Sequence, residues 1–209
     1  MDQLVKFLIS GGLLKDERII AAFRLVDRKD FVPRSIASSA YFDEALPIGE
    51  GQTISEPGVV AFMLSLLAPR VGDCLVDIGY GSGWQTALLA ALVGERGKVY
   101  AMERLDKLCE VGKENVKKYK PLFPRIRFYC QNAKDGLPLE AKMVGGFDGL
   151  IAAAEVKEVP LAWRDQLKIG GRLIYPRRNS IYKETKLKNN NFKVEIYQGF
   201  VFVPFLERG

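Results

Sequence analysis

The feature that most constrains the fold is a regular alternation of short apolar runs with helical segments, beginning near residue 72. Five runs of four to seven residues suit buried strands, at 74–78, 98–103, 126–130, 147–153 and 172–175. Helical segments lie between several of them, at 84–93, 105–119 and 160–167. Strands that alternate with helices form mostly parallel sheets covered on both faces. The sequence therefore predicts a three-layer α/β fold.

The N-terminal part of the chain predicts a helical segment. Ile19, Phe23 and Val26 recur at helical spacing. A loop rich in glycine and proline follows at 46–52. After it, Ser55 is predicted to be the N-cap of a further helix.

The C-terminal part alternates with a period of two. Residues 192–197 and 200–203 predict antiparallel strands that close an edge of the sheet, and the polar stretch 183–191 predicts an exposed loop. The whole chain, 1–209, is expected to form one domain. Its parts are an N-terminal segment with an active-site loop at 1–71, a core at 72–176 and C-terminal strands at 177–209.

The sharpest local signal is a glycine-rich loop. Residues 77–83 read Asp-Ile-Gly-Tyr-Gly-Ser-Gly, follow a buried strand and open a helix. Glycines allow a tight turn and a close approach of ligand to backbone, and the helix N-terminus offers unpaired N–H groups. The dinucleotide fingerprint needs glycine where Trp84 stands, which disfavours a nicotinamide dinucleotide site.

Two polar residues follow the next two strands. Glu103 could accept two hydrogen bonds from a ribose diol, and Asn132 could pair with an adenine edge. Taken singly, Glu103 could instead pair with Arg104 or Lys107 at the surface, Asn132 could be an ordinary loop residue, and the glycine loop a plain turn. Together they predict an adenosine cofactor without a pyrophosphate, which is S-adenosylmethionine.

The sequence contains no histidine. This excludes Ser-His-Asp triads, Cys-His dyads, imidazole metal ligands and histidine general bases, and no metal is expected. The cysteines at 74, 109 and 130 are sparse and form no CxxC pair. They predict buried, unpaired thiols in a reducing cytoplasm.

Basic residues are concentrated in two segments of a chain whose net charge is +6. The segment 164–193 contains nine basic and two acidic residues, and the segment 104–127 contains eight basic and three acidic residues. Such segments either attract an anionic partner or are solvated faces. Few aromatic residues stand among the lysines, which favours solvated faces.

A series of short motifs runs in order along almost the whole chain. They are Pro-Ile-Gly at 47–49, Gly-Gln-Thr-Ile-Ser at 51–55, the glycine loop, Val-Tyr-Ala-Met-Glu-Arg at 99–104, Phe-Asp at 147–148, Asp-Gln-Leu-Lys-Ile-Gly-Gly-Arg-Leu-Ile at 165–174 and Phe-Val-Pro at 202–204. The set resembles the protein-L-isoaspartate O-methyltransferase family. Many methyltransferases share the glycine loop, whereas the Gly-Gln-Thr-Ile-Ser segment is specific.

The resemblance implies a class I, Rossmann-like methyltransferase fold with a seven-stranded, mostly parallel sheet and a cofactor-binding core at 72–176. It also implies methyl transfer from S-adenosylmethionine to the α-carboxylate of L-isoaspartyl residues, leaving S-adenosylhomocysteine. The methyl ester then collapses to a succinimide, which hydrolyses partly to normal aspartate, so damaged proteins are repaired. A carboxylate acceptor is ionised at neutral pH, which agrees with the missing histidine because no general base is needed.

The resemblance also assigns roles by position. Ser55 is the catalytic hydroxyl that orients the acceptor carboxylate, and acceptor binding falls to Gln52, Thr53 and Ser55. The residues expected at the cofactor are Thr53, Ile54, Ser55, Asp77, Gly79, Gly81, Gly83, Glu103, Arg104, Asn132 and Ala133. Within this set, the resemblance assigns the methionine portion to Asp77 and the loop glycines, the ribose to Glu103 and the adenine to 132–133.

The chain departs from the family's pattern at four places. Glu56-Pro57-Gly58 replaces Gln or Ala, Pro, and an aromatic residue or His. The Glu56 carboxylate, beside a site for a carboxylate, could repel the substrate or simply face solvent at the start of the helix. Gln-Asn-Ala at 131–133 replaces Gly-Asp-Gly, Ala-Ala-Ala-Glu-Val at 152–156 replaces Thr-Ala-Ala-Ala-Pro, and Pro-Arg-Arg at 176–178 replaces Pro-Val-Gly.

These departures keep two alternatives open. One is a related methyltransferase for another acceptor such as RNA, with the basic C-terminal third contacting phosphates. The other is a non-catalytic relative that binds the cofactor or an acidic peptide. The favoured interpretation is a cytoplasmic, monomeric repair enzyme whose partners are isoaspartyl proteins, without a membrane or a stable nucleic-acid partner.

Overall fold

Residues 1–205, the part of the chain that this computed structural model describes, contain seven α-helices and nine strands. The helices are α1 (Asp2–Ser10), α2 (Glu17–Leu25), α3 (Pro57–Leu67), α4 (Trp84–Val93), α5 (Asp106–Lys117), α6 (Pro138–Val144) and α7 (Leu161–Asp165). The strands are β1 (Leu46–Gly49), β2 (Gln52–Ile54), β3 (Cys74–Ile78), β4 (Lys98–Glu103), β5 (Ile126–Cys130), β6 (Phe147–Ala152), β7 (Leu167–Arg177), β8 (Ser180–Lys186) and β9 (Phe192–Gln198). None of these helices combines the length and apolar character needed to cross a membrane.

Seven of the strands form one sheet in the order β5-β4-β3-β6-β7-β8-β9. Neighbours from β5 to β7 are parallel, whereas β8 and β9 are added antiparallel at one edge. The chain runs outward from β3 through β4 to β5 and then returns to place β6 on the other side of β3. This confirms the predicted seven-stranded, mostly parallel sheet. Open sheets of this kind bind ligands at the carboxyl ends of the strands, where the strand order reverses.

The two helices beside the glycine loop pack unusually closely. Nine of the ten residues of α4 are buried, because the helix lies between the sheet and α2. A Cβ on Gly83 would lie 2.7 Å from the carbonyl oxygen of Gly112 in α5, and a Cβ on Gly112 would lie 2.4 Å from that of Gly81. Only glycine fits at such distances. These glycines therefore allow α5 to lie directly against the loop.

A buried arginine joins the N-terminal segment to the loop that follows it. Arg28 is fully buried, and its Nη1 donates to the carbonyls of Ala40 (2.9 Å) and Phe42 (3.2 Å). Its Nη2 donates to the carbonyls of Glu44 (2.8 Å) and Ser55 (3.1 Å). Burial lowers the pKa of Arg28 to about 10, so the side chain remains charged at neutral pH. One guanidinium thus fixes the backbone ahead of Ser55.

The predicted N-cap at Ser55 is wrong. Helix α3 begins at Pro57, and Glu56 occupies the cap position without a side-chain hydrogen bond. The amide of Gly58 donates instead to Oδ1 of Asp43 at 2.7 Å. An acceptor fifteen positions away leaves no local signal in the sequence.

Two expectations about the C-terminal part are also wrong. Residues 183–186 belong to strand β8 rather than to an exposed loop, because buried Glu184 pairs with Arg164 and buried Lys186 donates to backbone carbonyls. Residues 200–203 form no strand. They run past the end of β6, where the amide of Glu155 donates to the carbonyl of Val203 at 2.8 Å.

The expectation of unpaired thiols is wrong for two of the cysteines. Cys109 and Cys130 form a disulfide, with Cα atoms 5.8 Å apart, whereas Cys74 is a free, half-buried thiol. The paired residues are 21 positions apart, in α5 and at the end of β5. Their proximity becomes visible only once the helix is placed against the sheet.

Candidate active site

A cleft opens at the carboxyl ends of β3, β4 and β6. Its walls come from six separate segments of the chain. The lining residues are Ile48, Gln52, Thr53, Ile78, Gly79, Gly81, Met102, Glu103, Arg104, Leu105, Leu108, Gln131, Ala133, Ala153, Ala154, Val203, Pro204 and Phe205. Polar groups therefore lie at a few points of a mostly apolar cavity, as is typical of small-molecule sites.

The glycine loop forms one wall of this cleft with its backbone. Gly79 and Gly81 have φ angles of 75° and 48°, in the left-handed region that favours glycine. The amide of Gly79 is tied to the carbonyl of Met102 at 2.8 Å. A Cβ on Gly81 would lie 3.0 Å from Cδ1 of Ile48 across the cleft. The absence of side chains therefore keeps this part of the cavity open.

Glu103 presents a buried carboxylate to the cleft. Its Oε1 accepts hydrogen bonds from the amides of Arg104 (2.8 Å) and Leu105 (3.1 Å), and its Oε2 accepts one from the amide of Gly81 (3.0 Å). The side chain does not pair with Lys107, which binds Glu50 instead. A carboxylate has about four acceptor positions, so one position on Oε2 remains. The site thus offers a strong acceptor position to a ligand hydroxyl.

Asp77 does not line the cleft, although its contact with a ligand was expected. Its carboxylate is fully buried and accepts hydrogen bonds from Nε2 of Gln85 (2.7 Å) and Oγ1 of Thr86 (2.5 Å). Burial raises the pKa of Asp77 to about 6, with a smaller contribution in the same direction from the charge of Glu103. Asp77 therefore holds the start of α4 against β3.

The raised pKa of Asp77 predicts a stability change with pH. The folded protein holds the proton up to about pH 6, whereas the unfolded chain releases it near 3.8, so stability present at low pH is lost as the pH rises through 6. Relative to Asp77→Asn, the wild type should lose roughly 3 kcal/mol of unfolding free energy between about pH 3 and pH 8. Urea unfolding of both proteins across this range measures the difference. A difference that does not vary with pH would contradict the assignment.

A second groove adjoins the cleft on the side of Ser55. It is lined by Ala45, Thr53, Ser55, Glu56, Val59, Ala153, Val201, Phe202 and Val203. Thr53, Ala153 and Val203 line both cavities. A smaller pocket connects Ser55 with the glycine loop. Ser55 therefore lies at the boundary between the two cavities.

The structure brings most of the predicted site residues together. Those that line the cleft or the pocket beside it are Gln52, Thr53, Ile54, Ser55, Gly79, Gly81, Glu103, Arg104 and Ala133. Gly83 packs against α5 instead. Asn132 is exposed outside the cleft lining, and its Oδ1 accepts the amide of Lys134 at 2.9 Å, while its neighbour Gln131 lines the cleft.

Sequence reasoning missed the apolar walls. Leu105, Leu108 and Ala153 line the cleft but look like ordinary core residues in the sequence. The segment 203–205 was not assigned to the site, because residues 200–203 were interpreted as an edge strand. The Phe-Val-Pro motif at 202–204, which contributes to the family resemblance, was the available signal.

Comparison with known proteins identifies the family. The model described as protein-L-isoaspartate(D-aspartate) O-methyltransferase matches residues 1–209. The chain belongs to this family. A protein-L-isoaspartate O-methyltransferase of Petrotoga mobilis is 38% identical, over 97% of this chain and 93% of its own. The protein-L-isoaspartate O-methyltransferase of Vibrio parahaemolyticus is 39% identical, over 98% of this chain and 95% of its own.

Solved structures agree with the family. A Plasmodium falciparum structure assigned to the same enzyme class, in complex with S-adenosyl-L-homocysteine, superposes with a TM-score of 0.87 at 25% identity, over 99% of this chain and 98% of that one. Another solved structure, of a protein-L-isoaspartate O-methyltransferase, superposes with a TM-score of 0.86 at 26% identity, over 97% of this chain and 65% of that one. The predicted family, class I fold, isoaspartyl methyl transfer and S-adenosylmethionine dependence are thereby confirmed.

Proposed function

We propose that the two cavities divide the repair reaction between them, with S-adenosylmethionine in the cleft and the L-isoaspartyl residue of a damaged protein in the groove. The observation that carries this assignment is their shared boundary at Thr53, Ala153 and Val203, beside Ser55. A methyl donor and an acceptor carboxylate must meet at such a boundary, because the reaction joins an atom of one to an atom of the other.

The donor set of the cleft fits an adenosine cofactor that carries a methionine tail. The free position on Oε2 of Glu103 suits a ribose hydroxyl, and the open glycine loop leaves room for the tail. Met102, Leu108 and Ala133 supply apolar surface for a purine. When bound, S-adenosylmethionine supplies an electrophilic methyl group on a sulfonium.

The acceptor needs orientation rather than deprotonation. Its carboxylate is ionised at neutral pH, and the chain has no histidine to act as a base. The Ser55 hydroxyl can donate a hydrogen bond to one carboxylate oxygen and so direct the other towards the cleft. Holding two reactants in reactive geometry and excluding water are large catalytic effects in themselves. Arg28 contributes indirectly, because it fixes the Ser55 carbonyl.

The direct test is transfer of a tritiated methyl group from S-adenosylmethionine to a synthetic peptide containing L-isoaspartate. The same peptide with normal aspartate is the control. We expect base-labile methyl ester only on the isoaspartyl peptide. Cofactor binding without transfer to either peptide would instead support the non-catalytic alternative.

The position of Glu103 predicts a loss of cofactor affinity on mutation. Glu103→Gln should weaken binding of S-adenosylhomocysteine by about 1.5–3 kcal/mol, the range for a hydrogen bond to a charged group. Calorimetry measures this directly. Glu50→Gln, which changes an exposed carboxylate paired with Lys107, is the matched control and should bind normally. Unchanged affinity of the Glu103 variant would remove it from the cofactor site.

The basic C-terminal third gives little support to an RNA acceptor. Arg164 pairs with Glu184, Lys168 with Asp148 and Lys183 with Glu195. The amine of Lys186 donates to three backbone carbonyls. Much of this charge is therefore engaged within the fold, which favours solvated and structural roles.

Cytoplasmic location and a monomeric state stay predictions of this proposal. The disulfide between Cys109 and Cys130 removes the cysteine argument for a reducing compartment, because disulfides are rare in the cytosol.

A further inference from the structure

The acceptor groove contains a carboxylate in a place where an anionic acceptor would be repelled. Glu56 is exposed and is the one charged side chain among the described residues that line the groove. It directly follows Ser55, the residue proposed to hold the isoaspartyl carboxylate. Glu56 forms no ion pair with any other residue in the range 1–205. Its negative charge thus faces whatever occupies the groove.

Two further acidic residues, Asp43 and Glu44, lie close to the segment that contains Ser55 and Glu56. Nη2 of Arg28 donates to the carbonyls of both Glu44 and Ser55, and the Asp43 carboxylate accepts the amide of Gly58, two residues after Glu56. Arg28 is buried and donates its hydrogen bonds to backbone carbonyls rather than to these carboxylates. One buried positive charge therefore stands against three negative charges. The charged side chain that lines the groove is therefore acidic, although the protein carries a net charge of +6.

From this arrangement we infer that the groove selects isoaspartyl residues whose neighbours in the substrate are lysine or arginine. A cationic neighbour would offset the acceptor's own charge and approach Glu56 favourably, whereas an acidic neighbour would add to the repulsion. The inference rests on the proposed function, since it assumes that the acceptor occupies the groove beside Ser55. It assigns Glu56 as a specificity-determining residue of that reaction.

The size of the preference follows from the exposure of the charges. Two unit charges about 4 Å apart in water interact by an amount that corresponds to a factor of about five. Exchanging a lysine neighbour for glutamate should therefore lower kcat/KM by roughly fivefold or more at low salt. The effect should shrink in 1 M salt, where the screening length is only about 3 Å.

The test uses three isoaspartyl peptides of one sequence, with lysine, alanine or glutamate on both sides of the isoaspartyl residue. We expect kcat/KM of the wild type to fall from the lysine to the alanine to the glutamate peptide. In Glu56→Gln, the ratio of kcat/KM between the lysine and glutamate peptides should fall to about two. Glu56 makes no side-chain cap hydrogen bond, so this variant should fold normally. Glu114→Gln, on the exposed face of α5, removes the same charge from the molecule and should keep the full preference.

Each outcome separates this inference from the proposed function. If the alanine peptide is not methylated, the proposed function fails. If all three peptides are methylated equally well, the function stands and the inference is overturned. The inference is also overturned if Glu56→Gln keeps the wild-type difference in kcat/KM between the lysine and glutamate peptides, because Glu56 would then not be the source of the preference. If Glu114→Gln reduces that difference as much as Glu56→Gln does, the inference is overturned because the preference would come from the overall charge of the protein.

Discussion

Replacing Arg28 with methionine is expected to lower the free energy of unfolding by about 3–5 kcal/mol, among the largest effects of a single substitution. The side chain is fully buried and satisfies four backbone carbonyls, two of which belong to Glu44 and Ser55. Each buried acceptor left without a partner costs about 1–3 kcal/mol, partly recovered where water can enter. Methionine keeps much of the volume but none of the donors.

Urea unfolding with a fitted m-value measures this loss. Arg24→Met is the matched control, because Arg24 is exposed on α2 and its replacement should change stability by less than about 0.5 kcal/mol. The free energy of unfolding of Arg28→Lys should lie between those of Arg28→Met and Arg24→Met, since one ammonium group cannot reach all four carbonyls. Equal stability of the Arg28→Met and Arg24→Met proteins would show that the arginine does not hold this segment.

Ser55→Asp is expected to reduce methyl transfer by at least a hundredfold while the protein remains folded. Two carboxylates about 4 Å apart near a protein surface repel each other by roughly 4 kcal/mol, enough to exclude the acceptor. Stability should hardly change, because Asp43 rather than Ser55 provides the cap of α3. Cofactor affinity and kcat/KM are measured on the same preparation. Normal cofactor affinity with a low kcat/KM shows that the acceptor is excluded, whereas loss of both shows a general defect of the protein.

Ser55→Ala tests the milder form of the same assignment. Loss of one orienting hydrogen bond should lower kcat/KM at least tenfold, about 1.4 kcal/mol of transition-state stabilisation, with cofactor affinity retained. Ser65→Asp, at an exposed position of α3, is the control for adding a carboxylate. Full activity of Ser55→Asp on the isoaspartyl peptide would mean that the acceptor binds elsewhere.

The central elements were predictable because their signals are local. The bounds of α4 and β5 coincide with those read from the sequence, since glycines flank the mostly apolar α4, and Arg125 and Gln131 flank the mostly apolar β5. The short helix α6 was missed, since its seven residues are too few to establish a helical period. The cap at Asp43 and the pairing of Cys109 with Cys130 depend on contacts between distant segments, which no local pattern records.

The same distinction applies to the site. Glu103 and the open glycines were predictable, because a glycine loop after one strand and a carboxylate at the end of the next form a combined signal that neither carries alone. The function of Asp77 was not, because only the structure shows that Gln85 and Thr86 occupy its carboxylate. Apolar lining residues such as Leu108 carry no signal at all, since the core and a purine pocket require the same side chains.

The cleft takes its walls from segments that extend from Ile48 to Phe205. During synthesis, the ribosome releases the glycine loop long before the last of these segments. A nascent chain therefore has the strands of the site but no complete cavity, and its unpaired sheet edges require protection from aggregation. Cofactor present in the cell can stabilise only the finished fold, because a ligand stabilises just the state that binds it.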